Sequence, residues 1–210
     1  NDEVLQLLQK DYKEDKILWE VLSSIRKRPI AMMEPKSRSD KDMKGLAKIA
    51  AQQLSDPTGP SVAIFDIGGF DTHADQGGDN GEHAKKLKQF DDVIGTLRKQ
   101  MGKEFDNTII ASLTEFGRTI SQNGGSGTEH GYGTAILMAG GLLPKSKIIG
   151  DWPGLEKKNL FEGRDLDSSI DARAVYASIL ARVLDSDHKQ IVKNAFFNAN
   201  LPDMTQRIFG

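Results

Sequence analysis

The sequence contains no cysteine among its 210 residues. Disulfide bonds, thiolate metal ligands and cysteine nucleophiles are therefore excluded. Long apolar runs are missing too, because no stretch approaches the about 20 consecutive apolar residues that a membrane-spanning helix needs. We expect no membrane insertion of this chain.

A large excess of charge of either sign is also absent. The chain carries 28 Lys and Arg against 30 Asp and Glu, which gives a formal net charge of -2. Proteins that bind nucleic acids neutralise phosphates with a basic face, and a slightly acidic chain with scattered lysines lacks such a face. We therefore expect no nucleic-acid partner.

The N-terminal part is charged and has apolar residues spaced three and four apart, the pattern of amphipathic helices. After a loop at 29–38, a second helical pattern runs from Met43 to Leu54 and stops at a Pro- and Gly-rich turn. We predict a helical N-terminal segment over residues 1–58 and an α/β domain over residues 59–210, which can also join into one domain. Because the chain opens with Asn-Asp-Glu-Val instead of Met and a leader, we expect a processed protein or a fragment.

After Ser61, short apolar runs alternate with helical periodicity. A stripe of apolar residues from Leu87 to Met101 predicts a helix that covers one face of a sheet, and a final helix is predicted from about Asp171. The predicted strands are residues 62–65, 108–113 and 134–139, with a short fourth strand at 147–149. This order of strand, helix and strand indicates an α/β fold with a mostly parallel sheet flanked by helices.

Polar side chains follow the predicted strands directly, where ligands bind in open α/β sheets. Residues 66–73 follow the first strand, residues 114–119 follow the second, and a glycine-rich loop at 124–133 leads into the third. These segments hold carboxylate and imidazole groups of the kinds that bind zinc, manganese or magnesium. The candidate metal ligands are Asp66, Asp71, His73, Glu115 and His130.

A structural role for the same residues is an equal alternative. In that interpretation Asp71 caps a helix, Gly68 and Gly69 form a turn, and His73 makes an ordinary hydrogen bond in a loop. If the carboxylates do meet, their mutual repulsion in the absence of a metal favours protonation of some of them. Residue types alone leave both interpretations open.

Three motifs carry a resemblance to a known family: FDIGGFDTHADQ at 65–76, TEFGRT at 114–119 and GTEHGYG at 127–133. Together with GDWPGL and a later GRDL segment, they closely resemble a bacterial family of uncharacterised, often twin-arginine-exported proteins. That family is similar to the alkaline phosphatase superfamily. The resemblance covers roughly residues 60–185. It implies an alkaline-phosphatase-like layered fold that lacks its N-terminal part here, and a periplasmic location.

The resemblance also implies a function. Members of the superfamily bind divalent metal ions and act on phosphate or sulfate esters, so a small anionic ester is the implied substrate. Asp66, Asp71 and His73 match the metal-binding residues of its first motif in kind. His130 matches a later histidine that stands beside glycine.

This sequence departs from the superfamily pattern in two places. Where the superfamily has an Asp-His metal pair, this chain has Glu115-Phe116, and Phe116 cannot be a ligand. Residues 1–60 show neither the early Asp-bearing strand nor the Ser or Thr nucleophile of the superfamily. We therefore expect a metal-dependent hydrolase-like domain without an identifiable nucleophile. The alternative is a non-catalytic binding or assembly protein on the same scaffold.

Arg118 follows Glu115 by three residues and has two candidate roles. Its guanidinium can hold an anionic substrate oxygen through two hydrogen bonds, or it can form an ion pair with Glu115. We favour the ion pair. The hydroxyls of Thr72, Thr114 and Thr128 are candidate stand-in nucleophiles, although threonines at strand ends mostly form caps or turns.

Three further residues carry expectations. His83 begins the long helix as a solvated or capping residue and is an alternative metal ligand. Trp152 and Pro153 are expected to form a packed turn, with contact to a substrate as the alternative. The oligomeric state is not determined by the sequence.

Overall fold

The computed structural model describes Lys10 and residues 43–210. Residues from Met43 onward belong to one compact unit, which extends from Asp40 to Gly210. The helical pattern predicted for the N-terminal part and the loop at 29–38 lie outside the described residues, apart from Lys10. The domain boundary at residue 58 stays a prediction, although the helix that ends at Leu54 lies within the same unit as the residues after it.

Residues 43–210 contain five α-helices. They are α1 (Met43–Leu54), α2 (Glu82–Met101), α3 (Ala172–Val183), α4 (His188–Ala195) and α5 (Thr205–Phe209). Short 3-10 helices follow at Gly102–Asn107 and Lys157–Asn159. Among these described helices, none combines the length and the apolar character needed to cross a membrane. The helices predicted from Met43, along Leu87 to Met101 and from about Asp171 are confirmed.

Residues 43–210 also contain four strands of two residues each. They are β1 (Ile110–Ala111), β2 (Gly117–Arg118), β3 (His130–Gly131) and β4 (Met138–Ala139). β1 pairs antiparallel with β4, and β2 pairs antiparallel with β3. Such short pairs do not define the layers of a larger sheet, so the mostly parallel layered fold stays a proposal.

The predicted strands are much longer than the observed ones. Of the strand predicted at 108–113 only β1 is observed, and of the strand predicted at 134–139 only β4. Residues 62–65 and 147–149 form no strand. The prediction of a strand at 62–65 was wrong, and the segment is not buried either, since Val62 is 49% exposed and Ile64 is 90% exposed. A short apolar run resembles a strand in sequence, but a strand forms only where a partner supplies the ladder of hydrogen bonds.

The first hydrophobic core lies between α1 and α2. Three small residues of α1 are buried against α2 (Ala47, Ala50 and Ala51). The buried side chains of α2 are Val93, Leu97 and Met101, whereas Leu87 is 44% exposed. The helix prediction is thus confirmed, but the buried stripe lies closer to the C-terminal end of α2 than expected. α2 ends at Met101, and the next residue is Gly102, whose φ of 57° is one that glycine tolerates.

The second hydrophobic core joins α3 and α5 to the pair β1 and β4. Ala174, Val175 and Ile179 of α3 are buried together with Ile208 of α5. Partly buried residues of both strands, among them Ala111 and Met138, pack against this cluster. The second core therefore supports the chain segments just before TEFGRT and just after GTEHGYG, the two motifs that form the pair β2 and β3.

Asp171 caps the N-terminus of α3. Its carboxylate accepts a hydrogen bond from the backbone N–H of Arg173 at 2.9 Å, which satisfies one of the donors that a helix start leaves free. We expect Asp171→Ala to lower the free energy of unfolding by about 1 kcal/mol in urea denaturation. Asp171→Asn keeps the cap and loses only the exposed ion pair with Arg173, so its effect should be smaller. Equal losses in both variants would contradict the capping role.

Candidate metal centre

Asp71, His73 and His130 bring their ligand atoms together at the surface. His73 Nε2 lies 3.2 Å from His130 Nε2 and 3.0 Å from Asp71 Oδ1. His130 Nε2 lies 3.1 Å from the same oxygen. The three side chains are 45 to 51% exposed, so a small ion or ligand can reach them. We call this group the Asp–His–His cluster.

The spacing of these atoms fits a metal ion. Ligand atoms bound tetrahedrally at about 2.0–2.1 Å from zinc lie roughly 3.3 Å apart. The three separations in the Asp–His–His cluster are 3.0, 3.1 and 3.2 Å. Two imidazole nitrogens and one carboxylate oxygen are also a common zinc donor set. The residues present therefore fit a divalent metal ion.

Backbone pairing brings these distant residues together. The pairing of β2 with β3 places Arg118 opposite His130. The segment around His73 runs antiparallel to the glycine-rich loop, with an isolated bridge between Ala74 and Ser126. Thr128 N donates to Thr72 O at 3.2 Å, which fixes the chain between Asp71 and His73 against the chain before His130.

Glycine allows these backbones to approach closely. A Cβ on Gly127 would lie 2.3 Å from the carbonyl carbon of His73, and a Cβ on Gly131 would lie 2.5 Å from that of Arg118. Neither space could hold a side chain without movement of the backbone. The glycines of this loop therefore serve the assembly of the Asp–His–His cluster, and the loop does not show the fingerprint of a nucleotide-binding motif.

Arg118 holds the loops of the cluster in place. Its guanidinium, with a side chain that is 19% exposed, donates to Asp71 Oδ1 and to the carbonyl oxygen of Thr128. Further hydrogen bonds run to Thr128 Oγ1 and to Thr72 O, both at 3.0 Å. Because these donors are engaged within the protein, Arg118 acts on the position of Asp71, and its role as an anion contact stays a prediction.

The predicted ion pair between Glu115 and Arg118 was wrong. Arg118 forms its ion pair with Asp71 instead. Residues three apart are neighbours on a helix, but Arg118 lies in strand β2, where successive side chains point to opposite faces. The pairing of β2 with β3 then directs the guanidinium to the loops of the Asp–His–His cluster.

Asp66 and Glu115 are not part of the Asp–His–His cluster. Both carboxylates are exposed. Asp66 is separated from Asp71 by a turn at Gly69, whose φ is 90°. Glu115 precedes β2, which contributes Arg118 to the site instead. For Asp66 and Glu115, the ligand role remains a prediction from the sequence.

Phe116 stacks on the ring of His130. The two ring centroids lie 3.9 Å apart, and the ring planes are inclined by 21°. Phe116, which cannot serve as a metal ligand, therefore packs directly against the candidate ligand His130. This contact restricts the orientation of the His130 imidazole.

Glu129 and Asn123 flank the cluster, and the sequence interpretation did not assign either of them. Glu129 Oε2 lies 2.9 Å from His73 Nδ1, and Asn123 Nδ2 donates to Glu129 Oε1 at 2.5 Å. Asn123 Nδ2 also donates to the carbonyl oxygen of His73 at 2.8 Å. Glu129 directly precedes His130 in the third motif, and this position could have indicated from the sequence that Glu129 lies near the cluster.

The surroundings of the two carboxylates near the histidines lower their pKa and so favour the ionised forms. Desolvation alone would raise the pKa of Asp71. Hydrogen bonds from His130 and Arg118, together with the electrostatic interaction with His73, lower it. Hydrogen bonds from Asn123 and His73 lower the pKa of Glu129. Crowded carboxylates were expected to favour protonation, but the pKa of Asp71 is lowered, because Arg118, His130 and His73 surround it instead of other carboxylates.

His83 and Trp152, two further residues named from the sequence, lie outside the Asp–His–His cluster. His83 Nδ1 is buried without a hydrogen-bond partner in the described part of the chain, and its ring contacts the edge of Phe70. His83 is not part of the Asp–His–His cluster. The expectation of a packed turn at Trp152 was wrong, since this side chain is 68% exposed. The indole therefore lies largely in solvent and not in a core.

A family profile described as "Protein of unknown function (DUF1501)" matches residues 21–196. The chain belongs to the DUF1501 family. This match covers most of the chain and includes all three motifs and every residue of the Asp–His–His cluster. The sequence-based assignment to an uncharacterised family is thereby supported. No curated protein and no solved structure gives a significant match to this DUF1501 chain.

Proposed function

We propose that the Asp–His–His cluster binds one divalent metal ion and that the protein is a metal-dependent hydrolase-like domain acting on phosphate or sulfate esters. The observation that carries the proposal is the convergence of two imidazole nitrogens and one carboxylate oxygen from separate loops. This donor set favours zinc over manganese, and manganese over magnesium, which prefers oxygen ligands.

The residues of this chain contribute binding and orientation to such a reaction. A divalent ion would supply Lewis acidity toward an oxygen of the ester. Asp71 supplies a negative ligand, because its hydrogen bonds keep it ionised. Arg118 holds Asp71 in place, and Phe116 restricts the ring of His130. The exposure of the cluster leaves one side open for a small anionic ester.

The resemblance of the three motifs to the alkaline phosphatase superfamily supports the hydrolase part of this proposal. It also supports a layered α/β fold and a periplasmic location, which belong to the same proposal. The two-metal arrangement of that superfamily is not part of it, because Phe116 stands where a second imidazole would be needed.

A second candidate function is a non-catalytic binding or assembly protein with the same metal centre. The observation that favours it is the state of the three candidate nucleophiles. The hydroxyls of Thr72 and Thr128 both donate to Gln76 Oε1, at 2.9 and 3.0 Å. The hydroxyl of Thr114 donates to Thr134 Oγ1 at 3.2 Å. In the described structure each of these three hydroxyls donates to an amide or a hydroxyl oxygen, and none donates to a histidine or a carboxylate that could take its proton.

Metal titration and an ester panel test the two candidates. We expect zinc to bind with a stoichiometry of one in calorimetry, and to stabilise the fold by about 2.7 kcal/mol at 100 times its Kd. Phosphomonoesters, phosphodiesters and sulfate esters are then assayed with and without zinc. Metal-dependent turnover that Asp71→Asn abolishes supports the hydrolase, and binding without turnover supports the second candidate. A protein that binds none of zinc, manganese and magnesium contradicts the metal centre itself.

A further inference from the structure

We propose that Phe116, Tyr132 and Phe161 form a binding surface for the organic group of the ester, and that the substrate is therefore an ester of an aromatic alcohol. We call these three side chains the aromatic ledge. The inference rests on the proposed metal-dependent hydrolase and deepens it by naming the substrate class. The Asp–His–His cluster would hold the charged phosphate or sulfate, and the aromatic ledge would hold the ring.

The register of β2 and β3 places Phe116 opposite Tyr132. The first residue of β2 is paired with the last residue of β3, Phe116 directly precedes β2, and Tyr132 directly follows β3. Two residues farther along each segment, Thr114 Oγ1 donates to Thr134 Oγ1 at 3.2 Å, so the same register continues past the two strands. Phe116 and Tyr132 therefore occupy opposite positions on adjacent chain segments.

Tyr132 lies on the same face of this strand pair as His130. Residues two apart on an extended chain point to the same face, and opposite residues of an antiparallel pair do so as well. The stacking of Phe116 on His130, with 3.9 Å between the ring centroids, agrees with this arrangement, because the two residues are diagonal neighbours across the pair. Two residues of extended chain span roughly 6.6 Å. The aromatic ledge therefore begins one side-chain position away from a candidate metal ligand.

The later GRDL segment brings Phe161 to the aromatic ledge. Phe161 and Asp165 close a tight turn through an antiparallel bridge. Gly133 N donates to Leu166 O at 2.8 Å, which attaches this turn to the residue after Tyr132. The Phe161 ring stacks on the Tyr132 ring, with centroids 4.1 Å apart and planes inclined by 17°.

The two stacked rings remain accessible from solvent. Tyr132 is 53% exposed and Phe161 is 37% exposed. Their stack also fastens the turn, but buried rings would serve this role equally well. In ligand sites, apolar and aromatic side chains contact the body of the ligand, and a few polar groups fix its orientation. An ester held by its charged group at the exposed cluster would place its organic group against Tyr132.

Binding of two phosphonates to the zinc-loaded protein tests this inference without turnover. Phenylphosphonate and methylphosphonate carry the same charged group, and only phenylphosphonate has a ring. We expect the wild type to bind phenylphosphonate about 10-fold more tightly than methylphosphonate in calorimetry. We expect Tyr132→Leu to reduce this preference to less than about 3-fold, and Tyr132→Phe to keep it, because phenylalanine retains the ring.

Phe197→Leu is the matched control for the loss of an exposed ring. Phe197 is 93% exposed and lies far along the chain from the three motifs. We expect this variant to keep the wild-type preference for phenylphosphonate. Because Tyr132 is half exposed, we expect its variants to fold, and circular dichroism checks this. Phe161→Leu removes the other ring of the stack and should reduce the preference as well, so it provides a second test if Tyr132→Leu does not fold.

The outcomes separate this inference from the proposed function. If the zinc-loaded wild type binds both phosphonates equally, or if Tyr132→Leu and Phe161→Leu keep the full preference, the inference is overturned and the metal centre stands. An equal loss of preference in Phe197→Leu also overturns it, because the preference would then not depend on the aromatic ledge. If the wild type binds zinc but neither phosphonate, the ester part of the proposed function fails together with the inference. If it binds no zinc, the metal centre itself is wrong, and the inference falls with it.

Discussion

Zinc binding is expected to weaken by more than about 100-fold when either His73 or His130 is replaced by alanine. Each substitution removes one of the three ligand atoms that converge in the Asp–His–His cluster. The loss should exceed the about 10- to 100-fold effect of an outer partner such as Glu129, because a direct ligand is lost. The stability gained on adding zinc should vanish with it. Competition titration gives the affinity, and thermal denaturation with and without zinc gives the stability.

The other two histidines serve as controls for this prediction. His83 and His188 are not part of the Asp–His–His cluster. His188 begins α4, far along the chain from the three motifs. We expect His188→Ala to leave the affinity for zinc unchanged. An equal loss in His188→Ala would indicate unspecific binding to imidazoles, and unchanged affinity in His73→Ala and His130→Ala would exclude this cluster as the metal site.

Gly127→Ala is expected to disassemble the site without touching a ligand. The added Cβ would lie 2.3 Å from the carbonyl carbon of His73 and 2.6 Å from the backbone nitrogen of Ala74. Both neighbours are backbone atoms, so the two loops must move apart. Overpacking of this kind typically costs about 1–3 kcal/mol of stability. Because His73 and His130 lie on the two loops that separate, we also expect zinc affinity to fall by at least about 10-fold.

Gly124 provides the matched control within the same loop. A Cβ at this position would meet no heavy atom within 4 Å. We therefore expect Gly124→Ala to preserve both the free energy of unfolding in urea and the affinity for zinc. If Gly127→Ala behaves like Gly124→Ala, the close approach of the loops does not hold the cluster together. A loss of zinc binding in Gly127→Ala with unchanged stability would point to a local movement of the loops.

Helix α2 shows what periodicity can predict. Apolar residues three and four apart specify a helix over this region, because a helix presents such residues on one face. The same pattern did not specify that Val93 would be more buried than Leu87. Burial depends on where α1 contacts the helix, and α1 contributes small alanines to that contact. The spacing of apolar residues within α2 carries no information about where α1 makes this contact.

Residues 62–65 and Arg118 show where the sequence was insufficient. The apolar run at 62–65 has the composition of a strand, but the described structure gives it no ladder partner. Arg118 has a carboxylate three residues away, yet it pairs with Asp71 through the register of β2 and β3. In both cases the outcome depends on chain segments far away in sequence.

The amino-acid sequence alone determined which groups could build a site. Without cysteine, a metal centre depends on carboxylates and imidazoles, and the three motifs supplied five candidates. The tertiary structure decided that Asp71, His73 and His130 meet in one cluster. It also decided that Asp66 and Glu115 lie outside this cluster. Glu129, which the sequence had not indicated, contacts Nδ1 of His73. The physical reason is the separation along the chain. Contacts between loops more than 50 residues apart are set by backbone pairing and by glycines that let the loops touch, and no local pattern encodes them.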